Sequence, residues 1–177
     1  MAMVLSYTIH TFILMPKTAF KPIIDKQTEI LILGSMPGEL SLTHQQYYAN
    51  AQNAFWKIIF DVFNSGESLI NYSDKIALLQ QNKIGLWDVF ESCEREGSLD
   101  SNIKNGVLNN FEELFKTHPN IKLILFNGAT SHSSLKKQIH ILGKIPYLMM
   151  PSTSPAHTMA YQTKLNAWKH ALTNISL

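Results

Sequence analysis

Apolar and polar positions change period several times along the chain. Residues 29–35, EILILGS, form a short continuous apolar run that ends in glycine and serine, the pattern of a strand buried on both faces. The run recurs at 121–128, IKLILFNG, and at 145–152, IPYLMMPS, with a shorter version at 83–89, KIGLWDV. Between the runs, apolar residues fall at helical spacing. The segment 53–63 places Phe55, Ile58, Ile59 and Val62 on one face, and 73–81, 107–116, 131–141 and 159–172 read as further helices. Strands that alternate with helices need crossover connections, so the pattern predicts an α/β fold with a mainly parallel sheet and helices on both faces. Ligands of such sheets bind beyond the carboxyl ends of the strands. Four loops occupy those ends: GSMPGELSL at 34–42, LWDVFESCEREGSLD at 86–100, FNGATS at 126–131 and PSTSPAHT at 151–158. No internal repeat, low-complexity tract or linker interrupts the order.

The 177 residues are 45% hydrophobic and 16% charged, with a net charge of +2. That composition excludes a disordered chain and suits one domain, which at this length buries roughly 70% of its unfolded surface. Residues 1–14, MAMVLSYTIHTFIL, are apolar, yet no basic segment precedes them and no small-residue cleavage site follows. Met15 opens MPKTAF like an ordinary protein start, so 1–14 read as an N-terminal extension or a false upstream start, with 15–177 as the single domain. The single cysteine, Cys93, has no internal partner, which favours a reducing cytoplasm. No apolar run reaches the roughly 20 residues that cross a bilayer. The charge is unevenly spread: residues 1–101 hold seven basic and eleven acidic side chains, whereas 102–177 hold eight lysines and two glutamates. A basic C-terminal part permits a polyanionic partner, and it equally suits a solvated helix face.

Several familiar chemistries are excluded. Gly34-Ser35-Met36-Pro37-Gly38 follows a strand but matches neither a phosphate-cradling loop nor a dinucleotide loop. It lacks the GxSxG of a hydrolase elbow, so Ser35 reads as a turn residue. The seven histidines show no HExxH and no zinc spacing with cysteine; no metal and no cofactor are expected. His132 and His140 share a helix face, and Glu94 and Glu96, flanking Arg95, read as solvated. What stands out is QQYYANAQNAFW at 45–56, in which aromatic rings surround Asn50, Gln52 and Asn53. Rings of this kind stack on nucleobases at about 1–3 kcal/mol each, and amides read base edges or orient water. Phe55 and Trp56 read as core, while Tyr47, Tyr48 and Asn53 fit either a site or, for Asn53, a helix cap. PSTSPAHT, stiffened by Pro151 and Pro155, suits phosphate contacts or a wedge in a duplex, or a polar turn into the last helix.

Taken together, LILGSMPG, QQYYA, NAFW, LWDV, SCEREGSLD, FNG and PSTSPA, in this order between Met15 and Trp168, resemble the uracil-DNA glycosylase superfamily, and most closely its DNA-deoxyinosine branch. The resemblance implies a three-layer α/β/α sandwich around a four-stranded, mainly parallel sheet. It implies a monofunctional enzyme of base excision repair that flips a deaminated base from DNA and hydrolyses its N-glycosidic bond, hypoxanthine ahead of uracil, without metal or cofactor. Relatives with GINPG use that asparagine for catalysis, where this chain has Met36. The branch resembled here has moved the amide to the asparagine before AFW, which is Asn53. By the same resemblance, Gly34, Ser35, Met36, Tyr48 and Asn127 hold the base, with Tyr48 stacking on it. The loop of Pro151, Ser152, Thr153, Ser154, Pro155 and His157 contacts the duplex. A monomer is implied, without a membrane or an obligate protein partner, working at the nucleoid of a bacterial-type cytoplasm.

Two departures from the family pattern stand out. YYAHPRN reads YYANAQN here, so Asn50, Ala51 and Gln52 replace His, Pro and Arg, and STSPAN ends in His157. Losing the arginine removes a phosphate contact, and losing the proline loosens the approach to Asn53. A catalytically weak or inactive protein that binds damaged or single-stranded DNA is therefore an alternative, as is a nucleoside hydrolase on the same scaffold. Turnover on damaged duplexes separates them.

Overall fold

The computed structural model describes residues 15–174, so the expectation for 1–14 lies outside the described residues. Seven strands and six helices follow in order: β1 (Lys17–Thr18), β2 (Ile30–Gly34), α1 (Glu39–His44), α2 (Ala54–Phe63), α3 (Tyr72–Gln81), β3 (Ile84–Asp88), β4 (Phe90–Glu94), β5 (Lys104–Leu108), α4 (Phe111–Thr117), β6 (Leu123–Asn127), α5 (Ala129–Leu135), β7 (Tyr147–Met150) and α6 (Tyr161–Thr173). The four apolar runs build one sheet of order β3-β2-β6-β7, parallel at every pairing.

Alternation along β2 explains the three layers. Ile30 and Ile32 point to one face, where they pack with Phe55, Ile59, Leu79 and Trp168 of α2, α3 and α6. Leu31 and Leu33 point to the other, against Phe111 and Leu114 of α4 and Leu135 of α5. β6 repeats the division, with Leu123 and Leu125 on the first face and Ile124 and Phe126 on the second. A strand buried on both sides has no polar positions to alternate, which is why these segments read as continuous apolar runs. The expected α/β/α sandwich is observed.

The sequence reading missed a small sheet of order β1-β4-β5, antiparallel throughout. It also placed a helix from Val107, where the chain is still in β5 and α4 begins only after Asn110, whose side chain accepts the Glu113 N–H at 3.1 Å. β5 is almost wholly exposed, and β4 is bulged against it, so neither carries a clean period. The segment read as a polar loop around Arg95 follows β4, and Arg95 is buried at 1% exposure. Glu96 is exposed and Glu94 half-buried, in line with the solvated reading of the two glutamates, whereas the arginine between them turns inward, where its guanidinium satisfies backbone carbonyls, as described below.

Candidate active site

The carboxyl ends of the parallel strands open into a cavity of about 430 Å³, lined from β2 and the residues after it, from the 45–53 loop, from the ends of β3 and β6, and from 152–157. Gly34, Ser35, Met36, Tyr48, Asn53, Asn127, Ser152, Thr153, Ser154, Pro155 and His157 all contribute to the lining. Pro151 stands apart from it. The Pro151 carbonyl accepts the indole N–H of the fully buried Trp168 at 2.9 Å, which ties the start of the loop to α6.

Asn53 is the N-cap of α2. Its Oδ1 accepts the Phe55 N–H at 3.0 Å, and its own N–H donates to the Asn50 carbonyl at 2.8 Å. Using Oδ1 as the cap fixes the orientation of the amide, leaving Nδ2 as a donor without a partner among the described residues. The neighbouring Ala54 N–H donates to the Thr153 carbonyl at 2.9 Å, so the helix start and the fourth loop are joined beside this amide. Phe55 and Trp56 are core residues, as expected.

Tyr48 has φ near +55°, a left-handed conformation that costs a non-glycine residue about 1 kcal/mol or more. Its ring lies on Phe55 at 3.9 Å between centroids with 21° between planes. The hydroxyl accepts a hydrogen bond from Asn127 Nδ2 at 3.1 Å. Asn127 also donates to Thr153 Oγ1 at 2.8 Å and accepts the Thr153 N–H at 2.9 Å, so its amide chiefly clamps β6 to the fourth loop. Gly128 follows with φ near +101°, and a Cβ there would meet Ser152 Cβ at 3.0 Å.

The fourth loop is held from within. Ser152 Oγ accepts the Ser154 N–H and Ser154 Oγ accepts the Ala156 N–H, both at 3.2 Å, a pair of hydroxyl turns. Lys164 of α6, 4% exposed, donates to the His157 carbonyl at 2.7 Å and to the Ser154 carbonyl at 3.4 Å. Burial lowers its pKa. Beyond this anchor, Pro155, Ala156 and His157 are exposed at the tip.

The first loop is fixed from behind. Arg95 donates to the carbonyls of Met36, at 3.4 Å, and Pro37. It also stands 3.7 Å from Asp100 Oδ1. Asp100 accepts the Ser35 hydroxyl at 2.7 Å. Neither Arg95 nor Asp100 was singled out from sequence, and Asp88 was missed too, although all three belong to the 86–100 segment that leaves the end of the second parallel strand. Asp88 and Asp100 line the cavity, and among the described residues no lysine or arginine does. Burial, reinforced by the charge of Asp100, pushes the Asp88 carboxyl up to about 7, against the opposing pull of Arg95. Burial also raises Asp100 and, more strongly, the Tyr48 hydroxyl. Among the described residues, no group of three or more histidine, cysteine or acidic side chains could hold a metal ion. No described helix is long and apolar enough to cross a membrane.

A family model described as the uracil DNA glycosylase superfamily matches residues 22–177. The chain is 38% identical over 157 residues to the hypoxanthine DNA glycosylase of Methanosarcina barkeri, an alignment covering 89% of this chain and 98% of that protein. It is 36% identical over 157 residues to the hypoxanthine DNA glycosylase of Methanosarcina acetivorans, covering 88% and 97%. A protein from Methanosarcina acetivorans designated a candidate uracil DNA glycosylase, solved in solution by NMR, is similar with a TM-score of 0.77 at 35% identity. That match covers 89% of this chain and 97% of the other.

Proposed function

Because the chain belongs to the uracil-DNA glycosylase superfamily, we propose that it is a monofunctional DNA glycosylase that removes hypoxanthine from deaminated DNA. The observation that carries this reading is the amide of Asn53, oriented by its own helix cap and set in the wall of a cavity at the strand ends. The names of the two Methanosarcina relatives support hypoxanthine over uracil.

In this reading the damaged nucleotide swings out of the duplex into the cavity. The base lies along the backbone of Gly34 to Met36, against the face of Tyr48 turned away from Phe55. Cleavage of the N-glycosidic bond builds positive charge on the sugar and negative charge on the leaving base, so electrostatic stabilisation and a placed water serve better than a strong base. Asn53 supplies the placement: Nδ2 donates to the water oxygen while Oδ1 stays bound to the helix. The exposed tip at 155–157 enters the space that the nucleotide vacates, and the loop backbone with the hydroxyls of Ser152 and Ser154 meets the phosphates. The anchoring by Lys164 and Trp168 keeps the tip from collapsing into the cavity.

Tyr48→Ala is expected to weaken capture of the flipped base by about tenfold, the size of one lost stacking contact. The half-saturating enzyme concentration in single-turnover cleavage reads this directly; an unchanged value would remove Tyr48 from the base site. The function itself is tested on labelled duplexes carrying hypoxanthine, uracil or xanthine. Alkali-labile sites at the hypoxanthine duplex support the assignment. Salt-dependent binding without cleavage across the panel would instead mark a damage-binding protein in which Asn50, Ala51 and Gln52, the latter two exposed beside Asn53, have cost the chemistry.

A further inference from the structure

Asp88 ends β3 and is 3% exposed, yet it lines the cavity. Its Oδ2 has no hydrogen-bond partner. Gly34 provides its space: a Cβ at position 34 would stand 2.5 Å from Asp88 Oδ1 and 3.4 Å from Tyr48 Oη. A carboxyl group and a tyrosine hydroxyl thus converge over the end of β2, where the proposed base would rest. An ionised carboxylate with an empty buried oxygen is costly, whereas a neutral carboxyl group there has a proton to give.

We propose that Asp88 is the general acid of the reaction, holding a proton that it gives to N7 of the departing purine. The inference rests on the glycosylase reading. Asn53 places the water but has no proton to pass to the leaving group, and Asp88 fills that gap. As the C1′–N9 bond breaks, its electron pair moves into the purine ring and the proton of Asp88 goes to N7, so hypoxanthine leaves neutral. The water oxygen bonds to C1′, and the proton it sheds restores the carboxyl group through solvent. Several titratable or charged groups share this environment. Arg95 and Asp100 stand behind the first loop, Tyr47 and Tyr48 come from the 45–53 loop, and Glu39 and His157 lie elsewhere on the cavity wall. The two that act most strongly on Asp88 oppose each other, Asp100 favouring the protonated form and Arg95 the ionised form, while burial tips the balance and places the midpoint at about 7.

The test is the pH dependence of single-turnover cleavage of a deoxyinosine duplex between pH 5.5 and 9. The parent rate is expected to be level at low pH and to fall tenfold per unit above the midpoint. Asp88→Asn is isosteric and cannot donate a mobile proton. It is expected to be slower by about a hundredfold at pH 6, within the ordinary range of general acid catalysis, and to lose the falling limb. A falling limb retained in Asp88→Asn, or a parent rate that rises with pH, overturns the assignment. The parent protein alone supplies a second reading: with carboxyl-labelled aspartate, the Asp88 resonance should titrate at the midpoint of the rate profile, and titration in the ordinary carboxylate range overturns the acid. If the parent cleaves no deaminated duplex while binding it, the glycosylase reading itself fails and the acid with it; if it cleaves and only the pH behaviour differs, Asp88 alone is wrong.

Discussion

Asn53→Ser is expected to leave the protein as stable as the parent and to lower single-turnover cleavage of a damaged duplex by about 10²–10³-fold, the usual cost of one well-placed polar group in a reacting site. Asn53 does two things at once. Its Oδ1 caps α2 through the Phe55 N–H, and its Nδ2 is the donor proposed to hold water. Serine replaces the first function, because its hydroxyl caps a helix about as well as an asparagine amide. It cannot replace the second, because its single oxygen, held at the Phe55 N–H, stops short of the position that Nδ2 reaches. Asn53→Ala removes both and is expected to lose about 1 kcal/mol of stability along with activity. The pair separates a structural cap from a catalytic amide. Denaturation midpoints and cleavage rates on the same samples decide it: a serine variant that cuts at the parent rate would leave Asn53 as a cap only.

Arg95→Met is expected to cost roughly 2–4 kcal/mol of folding stability, near the lower part of the range for breaking a buried charged pair. The methionine keeps the length of the stem but strips two carbonyls of their donor, those of Met36 and Pro37. It also leaves Asp100 without its cation. Asp100 is about one-third exposed, so water relieves part of that loss and the upper end of the range is not reached. For a domain of this size the change corresponds to a drop of roughly 5–15 °C in Tm. The first loop, freed from behind, would hold the base less firmly, so activity should fall as well. With Arg95 gone, Asp88 loses the positive charge that helps draw its pKa down, and any limb of the rate profile due to Asp88 should move to higher pH. Thermal or urea unfolding measures the main effect; a Tm within two degrees of the parent would mean that the guanidinium does not hold the loop.

Legibility in the sequence followed burial. Strands buried on both faces, such as β2 and β6, announced themselves because every position had to be apolar. The exposed β5 and the six residues of α1 did not, since neither buries enough surface to impose a period. The same contrast runs through the site. Asn53, Tyr48 and the 151–158 loop were legible as a local string of amides, aromatics, prolines and hydroxyls, and the structure gathers them around one cavity. Asp88, Arg95 and Asp100 were not, because their meaning is tertiary. An isolated aspartate at a strand end and an arginine between two glutamates carry no signal until the fold sets Asp88 beside Gly34 and Tyr48 and turns Arg95 onto the Met36 and Pro37 carbonyls. The clue available was positional: all three lie at or beyond the carboxyl end of a parallel strand, where sites of this fold class collect. The first loop also proved to be more than a turn, since the Ser35 hydroxyl is bound to Asp100.

The measurement closest to the central claim is chromatographic detection of the free base released from a deoxyinosine duplex, with the parent and Asn53→Ser run side by side under single-turnover conditions. Free hypoxanthine from the parent, matched by an equal yield of abasic sites and lost with the serine variant, is the expected result. An intact deoxyinosine strand after incubation with a well-folded, DNA-bound parent would contradict it.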